Sequence, residues 1–169
     1  MSFFPSNTYD LFITHNYYYT DPWQGVVALL DEALPGRWRN WSLPWHDTSI
    51  ERRSPKGRAT LERTLRGQIG SAKMVLLLPE TASTTDGKVW LETQLAIARE
   101  LGKPVLGMRT LDGDFPDSLR DATCEVIDRS AAAVLRAADT FGNADVEPGR
   151  RDDSSSSAAI APVSRSSPS

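Results

Sequence analysis

Apolar positions along the chain keep two alternating rhythms, short continuous or alternating runs and longer stretches with helical spacing. Tyr9-Asp10-Leu11-Phe12-Ile13-Thr14 is a short apolar run that predicts a first strand. Asp21-Pro22 supplies a cap and a first-turn proline for a helix running through Leu34, and Pro35-Gly36 ends it. Arg37 to Leu43 alternates large apolar with polar residues, the period of a half-exposed second strand, and a polar loop follows to about Pro55. A helix from about Gly57 to Ser71 places Leu61, Leu65, Gln68 and Ile69 along one face. Lys73 to Pro79 is a continuous apolar run, which predicts a third strand buried on both faces. Thr84-Thr85-Asp86-Gly87 opens a helix through Leu101 that Gly102 closes. Pro104 to Met108 reads as a fourth strand, Cys124 to Ile127 as a weaker fifth, and Ser130 to Asp139 as the last helix.

Strands alternating with helices, several of the strands apolar throughout, imply a parallel sheet covered on both faces. Right-handed crossovers then give an α/β, flavodoxin-like, doubly wound sheet of about five strands. Ligands of such sheets bind beyond the C-terminal strand ends where the strand order reverses, which marks the loops after Ile13, Leu43 and Leu78. Composition bounds the domain. After Phe141 the chain turns to Ser and Pro with few large apolar side chains, so residues 7–141 are expected to fold and 142–169 to form a disordered tail.

The 169 residues carry a net charge of −3, which argues against a general nucleic-acid binder. The basic stretch from Arg52 to Arg58 is expected to be a solvated loop. One cysteine, Cys124, excludes an internal disulfide framework and fits a reducing cytoplasm; its apolar-leaning setting suggests a small buried hydrophobe. The N-terminus has no signal-peptide pattern, and no apolar run is long enough to span a bilayer.

Candidate chemistry gathers at the three loops. Thr14 and His15 end the first strand, where a histidine can donate to a phosphate, act as acid or base, or simply brace the turn. Trp45, set into the second loop by Pro44, can stack on a nucleobase or pack on the fold, whereas Trp38 and Trp41 read as packing residues. Glu80 directly follows the third strand, a carboxylate placed for acid or base work or for leading a helix. His15, His46 and Asp47 lack any metal-ligand spacing, and no phosphate-loop or GxSxG signature occurs.

Tyr9-Asp10-Leu11-Phe12-Ile13-Thr14-His15 resembles the first box of TIR domains. Asn40-Trp41-Ser42-Leu43-Pro44 and Gln68 to Leu78 resemble the second-strand segment and third-strand approach of TIR-like proteins of the Thoeris ThsB type. Trp90 to Ala98, followed by Gly102 to Gly107, resembles that family's third helix and fourth strand. The similarity spans Tyr9 to Ala138. It implies a TIR-like fold that takes NAD or a related nucleotide as substrate, with no other cofactor and no metal. It also implies cleavage of the nicotinamide–ribose bond to a cyclic ADP-ribose-type signal, which reaches an effector in antiphage defence, and homo-oligomers formed through TIR–TIR contacts. Thr14, His15, Trp45 and Trp90 would border the nucleotide.

The family's glutamate, four residues after its tryptophan, is replaced here by Gln94. A neutral amide can bond a ribose hydroxyl but supplies no negative charge, a loss of roughly a few kcal/mol at the barrier. Glu92 points about 200° away around the helix and can pair with Lys88 instead. The sequence therefore leaves three readings: NAD cleavage with Gln94 or Glu80 in the glutamate's role, a silent nucleotide-binding or TIR–TIR module, and a nucleoside ribosyl transferase.

Overall fold

Five parallel strands lie in the order β2-β1-β3-β4-β5: β1 Tyr9–Ile13, β2 Trp38–Asn40, β3 Met74–Leu77, β4 Val105–Met108 and β5 Glu125–Ile127. Helices α1 Asp21–Ala33, α2 Pro55–Ser71, α3 Thr85–Glu100 and α4 Ala131–Phe141 connect or follow them. The computed structural model describes residues 8–18, 20–43 and 51–141. The expected tail over 142–169, Tyr19, and the loop carrying Trp45, His46 and Asp47 lie outside the described residues. Among the described residues no helix is long and apolar enough to cross a membrane.

The chain leaves β1 outward to β2 and then returns past β1 to β3, so the strand order reverses between β1 and β3. That layout is the doubly wound α/β sheet the apolar runs predict. Side-chain alternation divides the core in two. Tyr9, Leu11 and Ile13 of β1, with Met74, Leu76, Leu106 and Met108, pack under α1 and α4 against Val26, Leu30 and Val134. Phe12, Val75, Leu77 and Val105 face α2 and α3 and meet Leu61, Leu65, Trp90 and Leu91. Burial on both faces explains why β1, β3 and β4 read as unbroken apolar runs.

Two expectations are corrected. The second strand spans three residues rather than seven. Trp41 N–H still reaches Leu11 O, at 2.9 Å, but Ser42 then turns back and donates from its N–H to Asn40 Oδ1, also at 2.9 Å. Cys124 is exposed rather than buried, because it precedes β5, an edge strand paired on one side only. Its Sγ donates to Val105 O at 3.4 Å.

Helix starts at the C-terminal edge are built from side-chain caps. Ser54 Oγ accepts from Gly57 N–H at 3.0 Å and opens α2, while Thr84 Oγ1 accepts from Gly87 N–H at 2.9 Å and opens α3. Gly87 is needed by contact, since a Cβ there would fall 2.2 Å from Thr81 O. The first turn of α3 is thereby pressed onto the 3₁₀ turn Pro79–Ser83 that follows β3. Asp10, buried in β1, holds the other flank. Burial pushes its carboxyl up, but hydrogen bonds from Arg39 and Trp41 and the charge of Arg39 outweigh that and leave it below the usual carboxylate range.

Candidate functional site

Beyond the last ladder bond of β1, side chains take over from backbone. Thr14 N–H still reaches Leu76 O at 3.0 Å, and Thr14 Oγ1 accepts from Leu78 N–H at 2.9 Å and bonds Thr81 Oγ1 at 2.8 Å. One hydroxyl thus ties the ends of β1 and β3 to the turn before α3. Thr14 is 1% exposed, so this hydroxyl is a joint of the switch point rather than a group offered to solvent.

At the next residue, a side-chain amide stands in for a strand. Gln94 Oε1 accepts from His15 N–H at 3.1 Å, and Gln94 Nε2 donates to His15 O at 2.6 Å. Gln94 is 0% exposed and is directed inward from α3 with Trp90 and Ile97. Both of its polar atoms are committed to one peptide segment, the pairing geometry of a strand neighbour. A carboxylate of the same shape could accept from His15 N–H, but its second oxygen would face the His15 carbonyl with no proton between them.

The imidazole of His15 is itself enclosed. Its Nδ1 accepts from Tyr17 N–H at 3.2 Å, which places the proton of the neutral ring on Nε2. Burial holds its pKa down at about 4, against a weaker opposing influence of the Gln68 side chain. Neither His15 Nε2 nor Gln68 Oε1 completes a hydrogen bond, while Gln68 Nε2 donates to Leu43 O at 3.2 Å. Gln68 therefore leans on His15 with one atom and secures the end of the second loop's leading edge with the other.

Tyr17 lies on this side and has φ of 74°, the left-handed region that side chains rarely adopt. Its ring meets Trp90 edge-on, centroids 4.7 Å apart, and His15 edge-on at 5.4 Å. Trp90, expected at a nucleotide, is 2% exposed and packs against Tyr17 with Arg58 over its ring. Tyr17 is buried, its hydroxyl has no hydrogen-bond partner, and burial pushes its phenol well above the ordinary tyrosine range. Arg52 stacks on the Tyr17 and Tyr18 rings and donates from Nη2 to Tyr18 Oη at 2.7 Å. Its Nη1 stands 3.3 Å from the Asp86 carboxylate at an angle that forms no hydrogen bond. Arg52 thus departs from the solvated loop expected for the basic stretch, whereas Arg53, Lys56 and Arg58 are exposed as expected.

Glu80 is separate from this cluster. Its Oε1 receives Arg129 Nη2 at 2.9 Å, and Arg129 Nε donates to Arg109 O at 2.9 Å, so Arg129 joins the ends of β3, β4 and β5. Glu92, set aside above, is exposed on α3 and borders a groove of about 330 Å³ with Lys88, Leu91 and Leu119. Among the described residues no group of three or more His, Cys, Asp or Glu side chains is placed to hold a metal.

Sequence reading missed Tyr17, Arg52, Gln68 and Arg129 as site residues. Arg129 carried a usable signal, a lone arginine two residues past the fifth strand at the edge where ligands bind. Tyr17 and Gln68 carried none, since the contacts of Tyr17 with Trp90 and Arg52, and of Gln68 with Leu43 and His15, are made across elements far apart in the chain.

Fold and site together define a doubly wound α/β domain whose switch-point loops are fastened by Thr14 and Gln94. No family model and no curated protein matches the chain. Among solved structures it is similar to a Clostridium botulinum CMP N-glycosidase, BcmB, at 12% identity and a TM-score of 0.44, over 78% of this chain and 98% of that one. A likeness that loose carries no argument about chemistry.

Proposed function

We propose that the protein is a TIR-like signalling module that holds a nucleotide-class ligand at the switch point and does not cleave NAD through Gln94. The observation that carries this reading is the pair of hydrogen bonds from Gln94 to the His15 main chain. Each amide atom holds one bond to the His15 main chain, and with no exposed surface Gln94 does not offer its second N–H or its other lone pair to a ribose hydroxyl. The ligand class is supported by the company around His15. Tyr17 Oη–H is an unmet donor, Arg52 Nη1 stands beside Asp86 without bonding it, and His15 Nε2–H leans on Gln68 Oε1 without completing a bond, a cluster whose donors suit the oxyanions and hydroxyls of a phosphorylated sugar. The strained backbone at Tyr17 fits a binding role as well.

The test is incubation of the concentrated full chain with NAD and, separately, with CMP, following release of nicotinamide and of cytosine. The CMP arm covers the ribosyl-transfer chemistry that Glu80 would serve as carboxylate. No release from either is expected, while ADP-ribose titrated into the wild type should give a binding signal that Arg52→Ala weakens. Steady nicotinamide release by wild-type protein would sink the non-cleaving reading. Absence of any ADP-ribose binding would sink the ligand class.

A further inference from the structure

On the opposite side of the sheet, a cleft of about 280 Å³ opens between the first turns of α1 and the loop after β4. It is lined by Asp21, Pro22, Gly25, Leu29, Leu111 and Arg129. Three features give it a chemistry. Its walls are apolar, and Leu111 stands 82% exposed beside it, held out on a turn that Thr110 and Gly113 close by hydrogen bonds instead of packing into the core. Arg129 has a side chain only 9% exposed and is fixed by Glu80 and Arg109 O. Those bonds use Nε and Nη2 of a fork with five N–H donors, and Arg129 lines the cleft. The charge of Arg129 is met by Glu80, which suits a carbonyl or ring-nitrogen acceptor better than a free anion.

Gly25 is the third feature. It sits inside α1, where glycine weakens a helix, yet a Cβ there would meet nothing within 4 Å. No neighbour calls for glycine at this position; the missing side chain leaves the cleft open. Asp21, exposed on the same helix, adds an acceptor to the α1 wall.

We propose that this cleft is a second ligand site for a small planar group bearing a hydrogen-bond acceptor beside an N–H donor, the edge that nucleobases and aromatic carboxamides share. Arg129 meets the acceptor, Asp21 the N–H, and Leu29 and Leu111 the ring faces. Glu80 is a positioning residue that holds Arg129. The volume of about 280 Å³ falls just below the usual range of ligand pockets, about 300 to 1,000 Å³, so the cleft takes one ring system and not a dinucleotide. The site stands independently of the switch-point reading, because it shares no residue with the Gln94 side.

The experiment titrates adenine and benzamide separately, at millimolar concentration, into the isotope-labelled full chain, with toluene as a ring that lacks the polar edge. Saturable shifts of the Gly25, Leu111 and Arg129 amide signals are expected with adenine, benzamide or both, and not with toluene. Adenine alone marks a nucleobase site and benzamide alone a carboxamide site. Gly25→Leu, which fills the cleft, should weaken binding about tenfold or more. Gly67→Leu, equally open on α2, should leave it unchanged. Leu111→Asp repeats the loss from an exposed position should the helix variant fail to fold. Glu80→Gln should weaken binding several-fold while leaving the shifted residues the same. No saturable shift with either ring, an equal response to toluene, or full binding by both Gly25→Leu and Leu111→Asp overturns the proposal.

Discussion

On the α2–α3 side of the sheet's C-terminal edge, Gln94 gives both amide atoms to the main chain of His15, whereas on the α1–α4 side Arg129 is anchored by two bonds and still lines a cleft. Both residues sit where ligands of doubly wound sheets bind, and both are polar, Gln94 fully buried and Arg129 partly so. The difference lies in what each side chain borders: Gln94 has no exposed surface, whereas Arg129 lines an open cleft. Gln94 closes a peptide segment that would otherwise bury an unpaired N–H and C=O, while Arg129 braces three strand ends. Position at a switch point is thus not enough to make a polar side chain a ligand group; it must also border open space.

The largest effect that would break this comparison comes from residue 94. Gln94→Leu should cost about 4 kcal/mol in chemical denaturation, since it strands two buried backbone groups at roughly 1–3 kcal/mol each. A change under about 1 kcal/mol would mean that the amide is not the staple described. Gln94→Glu should suffer most at neutral pH. There the new carboxyl is kept protonated by burial and by His15 O, so its folded pKa lies above its unfolded one. The deficit relative to wild type should therefore be smallest below the unfolded pKa and grow as pH rises. A deficit independent of pH would contradict the geometry.

His15 provides the next test. Its folded pKa of about 4 lies below the ordinary 6.5, so the unfolded chain binds the extra proton first. Stability is full above pH 6.5 and declines as pH falls toward 4, by about 3 kcal/mol at most. Urea midpoints across that range measure it, and His15→Asn should flatten this part of the profile. On the Arg129 side the effects are smaller. Glu80→Gln should cost about 1 kcal/mol, because the ion pair is only partly enclosed. Gly25→Ala should raise stability by about 0.8 kcal/mol in a thermal melt, as expected for a helical glycine with open space around it.

Legibility followed the range over which each interaction acts. Strands β1, β3 and β4 announced themselves because burial on both faces needs an unbroken apolar run, and α1 to α3 because periodicity is local. Even so, Thr20 rather than the expected Asp21 stands at the N-cap of α1, and α2 opens after Ser54 at Pro55, two residues before the expected start. The short β2 was harder, because its end is set by Ser42 turning onto the Asn40 side chain, and alternation alone carries no such stop. Gln94 could be found from the sequence but not interpreted. Its partner is a main-chain segment 79 positions earlier, and a peptide group leaves no mark in a sequence. Glu80 was found for its place after β3, yet its role depends on Arg129, 49 residues away.

The Gln94 clamp also bears on the routes by which this chain can change. Glutamine and glutamate differ by a single nucleotide in their codons, so the amide looks one step from a carboxylate. In this chain that step meets the His15 carbonyl, 2.6 Å from the atom that would become an oxygen. A lineage could cross it only with a carboxyl that stays protonated on that carbonyl, or after the loop following β1 had found another donor for it. The neighbouring codon is near, but the neighbouring protein is not.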